Sequence, residues 1–261
     1  MIDWHARATD PSEVVRHIPS GARVFVHGAS ATPTPLLDAM VARADLHDVR
    51  LCHLHLGGPA PFADAAHASR FRSTSFFTGP NVRAAIAAGR ADYVPVFLSD
   101  IPALFTDGTW QLDVALVQLS PPDRHGFCTL GTSVDAARAA VDSAHLVLAE
   151  INTRMPRTHG NAQVPVSRLA AYTVTDRPLH AHASRPETPE SGQIGALVAD
   201  LVEDGATLQV GIGAIPDAVL ARLGHKLELG VHTEMFSDGL VTLMATGAVH
   251  QVDEVALVVG L

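Results

Sequence analysis

The sequence predicts an α/β protein built on a doubly wound parallel sheet, with a second α/β segment behind it. Three observations carry that expectation. Short apolar runs alternate with segments of helical period along most of the chain. Residues Leu112–Leu119 and Leu146–Ile151 are predominantly apolar runs, the pattern of strands buried on both faces. Glycine-bearing turns follow two of the runs, His27-Gly28-Ala29-Ser30 and Gly211-Ile212-Gly213, where a strand would hand over to a helix.

The elements follow in order. Residues 11–17 read as a short helix with Asp10 or Ser12 as cap. Ala22–Val26 is a strand entering the turn His27–Pro33, and Leu36–Arg43 is an amphipathic helix. Val49–Leu56 is a second strand. Residues 60–78 lack clear period and are expected to be mostly loop. Asn81–Ala88 is a helix, Tyr93–Phe97 a strand, and Ser99–Phe105 a short helix capped by Ser99. The 112–119 strand leads into Ser120-Pro121-Pro122-Asp123-Arg124-His125-Gly126. Ser133 is placed as cap of a helix over Val134–Val141, and the 146–151 strand runs into the loop Asn152–Gly160. Residues 183–192 hold two prolines, a glycine and polar residues, the composition of a linker. A boundary there gives a first domain at 1–185 and a second at 193–261.

The second part opens with a helix over Ile194–Val202. Thr207–Gly211 is a strand, and Gly211, Gly213 and Pro216 make a turn. Pro216 suits the first position of a helix that ends near Leu223, and Asp217 suits its positive end. Leu229–Thr233 is another strand, and Ser237 is placed as cap of a helix over Gly239–Ala245. Both turns lie at carboxyl ends of strands, where open α/β sheets bind ligands. Glu234 stands there as a lone carboxylate before Asp238. Gln209 faces opposite to Leu208 and Val210, so Gln209 and Gly211 could line a pocket. The plain alternatives are a solvated Glu234, a Gln209 bonded to backbone and a structural His27.

Composition bounds the function. The chain has 261 residues, 47% hydrophobic, and a formal charge of −9. That charge argues against nucleic acid as a main partner and leaves room for a local basic pocket. Two cysteines, Cys52 and Cys128, suggest a reduced compartment. With no signal-like start and no run near the roughly 18 apolar residues of a span, a soluble cytoplasmic protein with no membrane partner is expected. Fifteen histidines include H-x-H pairs at His53/His55 and His180/His182, but neither is completed to a zinc set by Cys or Asp at ligand spacing. No metal is expected. Gly211-Ile212-Gly213-Ala214-Ile215-Pro216 places proline where a dinucleotide fingerprint needs its third small residue, so no nicotinamide or flavin is expected. A Cys128/His125 nucleophile ranks below Glu234.

The run Gly211–Val219 followed by His232-Thr233-Glu234-Met235-Phe236-Ser237-Asp238-Gly239 resembles the active-site segment of the acetyl-CoA hydrolase/transferase family. Ser120–Gly126, Leu130–Asp135 and Met155-Pro156-Arg157-Thr158 resemble further signatures, so the likeness covers nearly the whole chain. It implies CoA transfer between an acyl-CoA and a small carboxylic acid. Glu234 would be the nucleophile, with Gln209, Gly211, Gly213 and His27 lining the substrate pocket. Coenzyme A would be substrate, with no cofactor. Arg124, Arg154 and Arg157 would meet CoA phosphates or, preferred slightly, form loop salt bridges. Family members continue beyond Leu261 with a glycine-rich loop that binds CoA. The second domain is therefore expected to be incomplete, and a homo-oligomer or a complementing C-terminal chain to finish the site. Acyl-CoA hydrolysis and a non-catalytic interaction subunit are the alternatives.

Overall fold

The computed structural model describes residues 4–181 and 186–252. The predicted terminal strand Val255–Leu261 and the start of the expected linker, 183–185, lie outside them. The chain separates into two compact units, Met1–His180 and Ala181–Leu261.

The first unit holds strands β1 (Arg23–Val26), β2 (Val49–His53), β3 (Phe71–Ser75), β4 (Ala91–Tyr93), β5 (Val114–Leu119), β6 (Phe127–Thr129), β7 (Leu146–Asn152), β8 (Gln163–Pro165) and β9 (Ala171–Thr175). Its helices are α1 (Pro11–Val15), α2 (Thr34–Ala42), α3 (Pro80–Ala87), α4 (Ile101–Thr106) and α5 (Ala137–Ser143). Seven strands form one sheet in the order β4-β3-β2-β1-β5-β7-β9, and every pair in it is parallel. The order reverses between β1 and β5, which makes their carboxyl ends the switch point of a doubly wound sheet. All six residues of β5 are buried. Val114 and Leu116 enter the core on one face, and Ala115, Val117 and Leu119 the core on the other. Two-sided burial is why this strand reads as one apolar run.

The second unit holds α6 (Pro189–Leu201), β10 (Thr207–Leu208), α7 (Ala214–Leu220), β11 (Leu229–Val231), α8 (Asp238–Ala245) and β12 (Val249–Val252). Its strands form a parallel sheet in the order β10-β11-β12. Leu220, Leu223, Leu229, Val231, Leu240 and Leu243 make its core.

Several expectations need correction. The 60–78 segment contains β3, which pairs with β2 over five residues. Phe71-Arg72-Ser73-Thr74-Ser75 hides its strand because Ser73 and Ser75 are buried polar residues rather than apolar ones. The strand expected at Tyr93–Phe97 is β4, ending where it was expected to begin. The 120–131 loop contains β6, which pairs antiparallel with β8. Ser99 caps nothing, since Asp100 holds the cap position of α4 without a side-chain bond. Nor does Ser133 cap α5. Asp135 Oδ1 accepts from the Ala137 N–H (3.0 Å), and the Ser133 hydroxyl donates to Asp135 Oδ2 (2.9 Å). Helix α6 starts at Pro189, inside the expected linker, because Thr188 and Ser191 form a reciprocal capping box. Pro216 is the third residue of α7 rather than its first. Ser237 occupies the cap position of α8 but its hydroxyl makes no capping bond.

Candidate active site

Strands β10 and β11 are adjacent and parallel, with Leu208 opposite Val231. The segments leaving their carboxyl ends, 209–213 and 232–237, therefore run side by side. The His232 N–H donates to the Leu208 carbonyl at 2.9 Å. One step further, Thr233 is buried and clamps the two segments. Its Oγ1 accepts from the Val210 N–H (3.0 Å) and lies 2.9 Å from the Val210 carbonyl and 3.1 Å from that of Met235. The single hydroxyl proton is shared between those two carbonyls. Sequence reasoning missed Thr233, although its place beside Glu234 was the available signal.

Because Thr233 points inward, Glu234 points out, and it is exposed. Gln209, Gly211 and Gly213 are exposed on the neighbouring segment. The structure thus brings Glu234, Gln209, Gly211 and Gly213 to the same end of two paired strands. The strand expected at Thr207–Gly211 stops at Leu208, so Gln209 leaves the ladder. Gly213 has φ 115° and ψ −179°, a conformation reserved for glycine. Gly211 is different. A Cβ there would meet Pro216 Cγ at 3.9 Å and nothing nearer, so its lack of a side chain leaves open surface on the segment paired with the one that carries Glu234.

His27 belongs to the first unit, at the end of β1, and is fully buried. The Gln118 N–H donates to Nδ1 (3.2 Å), so Nε2 carries the proton and meets the Ser133 carbonyl at 2.5 Å. Neither ring nitrogen is left for a ligand within this unit. Burial pulls its pKa below the usual histidine value, partly opposed by the Asp135 charge. Around it the switch point is stitched together. The Gln118 amide donates to the Thr32 carbonyl (3.2 Å), and the Asn152 amide donates to Gln118 Oε1 (2.9 Å). Buried Glu150 takes a two-pronged bond from Arg177 (2.7 and 2.9 Å) and one from the Thr175 hydroxyl (2.6 Å).

The remaining candidates separate. Cys128 is buried, with its thiol pushed up to about 12 by burial, while His125 is exposed beside Arg124. Arg154 pairs with Asp176 (2.7 Å) and Arg157 with Asp123 (2.8 Å), which are loop salt bridges. His53 ends β2 and donates from Nδ1 to the Leu54 carbonyl (2.6 Å). Among the described residues no group of three or more His, Cys, Asp or Glu is placed to hold a metal.

Two α/β units, the second presenting a carboxylate beyond the end of a parallel strand, define an α/β protein with a candidate site at a strand end. Residues 2–182 match the model of the acetyl-CoA hydrolase/transferase N-terminal domain, and the chain belongs to that family. It is 49% identical over 246 residues to a succinyl-CoA:acetate/propanoyl-CoA:succinate CoA transferase of Fasciola hepatica, covering 93% of this chain and 51% of that protein. It is 38% identical to the 4-hydroxybutyrate coenzyme A transferase of Clostridium kluyveri, covering 91% of this chain and 56% of that one. The crystal structure of RipA from Yersinia pestis superposes with a TM-score of 0.88 at 31% identity, over 95% of this chain and 61% of that one. The chain spans about half the length of the curated relatives it matches.

Proposed function

We propose that this chain supplies the nucleophile of a CoA-transferase that moves CoA between an acyl-CoA and a small carboxylic acid. The observation that carries the reading is the placement of Glu234, exposed beyond β11 and following the inward anchor Thr233, which ties its segment to the one bearing the open Gly211. A carboxylate can carry acyl groups covalently. A Glu234 oxygen attacks the thioester carbonyl, and the C–S bond breaks to release CoA thiolate and leave a mixed anhydride. The thiolate attacks the glutamyl carbonyl of that anhydride. The first acid leaves as its carboxylate, and a glutamyl-CoA thioester remains. The acceptor carboxylate attacks this thioester and releases thiolate, forming a second mixed anhydride. Attack of the thiolate on the acyl carbonyl then frees Glu234 and the new acyl-CoA. The sequence balances without metal or redox chemistry, so no cofactor is invoked.

Gln209 extends the polar edge of the site, with an amide able to donate to a substrate carbonyl. His27 acts within the first unit by fixing Gln118 and Ser133. The exposure of Glu234 gives water a route to the same intermediates, so acyl-CoA hydrolysis is the second reading. The chain's share of its relatives' length supports a further segment or a second chain in the complete site.

Incubating the chain with acetyl-CoA, treating it with borohydride and mapping it by mass spectrometry tests the proposal. A modification at Glu234 that is absent in Glu234→Ala is expected, either with this chain alone or after adding a separately expressed C-terminal segment of a relative. Absence of the adduct under both conditions would overturn the glutamyl mechanism for this chain.

A further inference from the structure

At the other end of the first unit's strands, three arginines stand in register. Arg23 opens β1, opposite Arg50 of β2, and Arg50 is opposite Arg72 of β3. Residues paired directly across parallel strands project to the same face, so the guanidinium groups form one row. Strands lie about 4.8 Å apart, so the three Cα atoms span roughly 10 Å. The row lines a cavity of about 420 Å³, together with Thr74, Asp92, Thr109 and Trp110.

Like charges directly opposite each other in a sheet are destabilising, and the neighbouring carboxylates offset this row unevenly. Asp92 binds Arg72 with two bonds of 2.6 Å. Asp48 reaches Arg50 only at 3.6 Å. Asp113 takes the backbone N–H of Arg23 (2.8 Å) and stands 3.8 Å from His145. The Arg23 guanidinium has no hydrogen-bond or ion-pair partner among the described residues. Three arginines kept side by side in a protein of net charge −9, with the Arg23 guanidinium unpaired among the described residues and Arg50 only loosely paired, mark a place suited to an anion. Guanidinium forks match phosphate oxygens in pairs.

We propose that this cavity binds a small anion carrying a diphosphate group, gripped by Arg23 and Arg50, with Arg72 held in place by Asp92. Trp110 packs edge-on against Phe76 (5.4 Å between ring centres) and forms an aromatic wall of the same cavity. It suits a ligand whose diphosphate is attached to a planar base. The site belongs to the first unit alone and does not depend on the chemistry proposed for Glu234.

Calorimetric titration of the 261-residue chain with inorganic pyrophosphate and, separately, ADP tests it. Binding that weakens with rising salt is expected, with at least a tenfold loss in Arg23→Ala/Arg50→Ala. If that variant fails to fold, Arg50→Gln, at a side chain 64% exposed, replaces it and should lose several-fold. Tighter binding of ADP assigns the diphosphate to a nucleotide, whereas equal or tighter binding of pyrophosphate assigns it to the free anion. No binding of either ligand, or equal binding by the variants, overturns the proposal. So does a wild-type oligomer that dissociates in Arg50→Gln, because a second copy would then cover the row.

Discussion

Thr233 shows how much one buried hydroxyl can organise. It satisfies a backbone N–H and shares its proton between carbonyls of two segments, so Thr233→Val leaves those groups unpaired at nearly constant volume. Leaving a buried polar group unsatisfied costs about 1–3 kcal/mol. Hydrogen exchange at the Val210 amide is expected to quicken in Thr233→Val and to return in Thr233→Ser. An unchanged Val210 amide in the valine variant would show that the clamp is not formed. His27 and His53 set a second prediction. Both are buried, and burial lowers both pKa values, that of His53 to about 4. The unfolded chain, with histidines near 6.5, binds protons that the folded chain refuses. Stability is therefore full above about 6.5 and is lost as pH falls from there toward the folded value. For His53 the loss approaches roughly 3 kcal/mol. Urea midpoints that stay constant down to about pH 5 would refute this reading.

The start of α6 shows which elements could be read from the chain and which could not. Thr188 accepts from the Ser191 N–H (3.2 Å) while Ser191 Oγ accepts from the Thr188 N–H (2.9 Å). Thr188→Ala is expected to cost about 1 kcal/mol, measured as a drop in the denaturation midpoint. That cap sits in a stretch whose prolines and glycine read as linker, because a capping box built from serine rather than glutamate carries a weak signature. Strands β5 and β7 were legible because burial on both faces made them apolar over most of their length, with Gln118, Glu150 and Asn152 as buried polar exceptions near their ends. Strand β3 was not, since two of its three buried positions are Ser73 and Ser75, and the Ser75 hydroxyl is satisfied by the Phe77 carbonyl (2.5 Å). The pairing of β6 with β8 joins residues about 36 apart across α5 and β7, and local period says nothing about such contacts. At the candidate site the glycine turns and the position of Glu234 past a strand end followed from local pattern, while the role proposed for Glu234 came from the family resemblance. The Thr233 clamp and the enclosure of His27 depend on partners that only the folded chain supplies.

On the scale of the whole molecule the two units differ in how they use apolar residues. The first covers both faces of a seven-stranded sheet. The second buries a small cluster and turns α6 inside out. Ser191, Gly192, Gly195 and Ala199 face inward, and a Cβ on Gly195 would sit 2.9 Å from Ala218 of α7. Close approach of α6 to α7 thus depends on small side chains. The large ones, Ile194, Leu197, Val198 and Leu201, follow the i, i+3, i+4, i+7 spacing of one stripe, and Leu197 and Leu201 are 68% and 81% exposed. Exposed contiguous apolar surface promotes association, yet contributes little to the stability of the fold that carries it. Leu197→Glu/Leu201→Glu is accordingly expected to lower dye binding and light scattering while shifting unfolding by no more than about 0.5 kcal/mol per site. Gly195→Leu on the opposite face is expected to destabilise the second unit by about 1–3 kcal/mol through overpacking against α7. If the glutamates destabilised the protein as much as the leucine at 195, the stripe would be core rather than surface. The inverted reading of α6 would then fail.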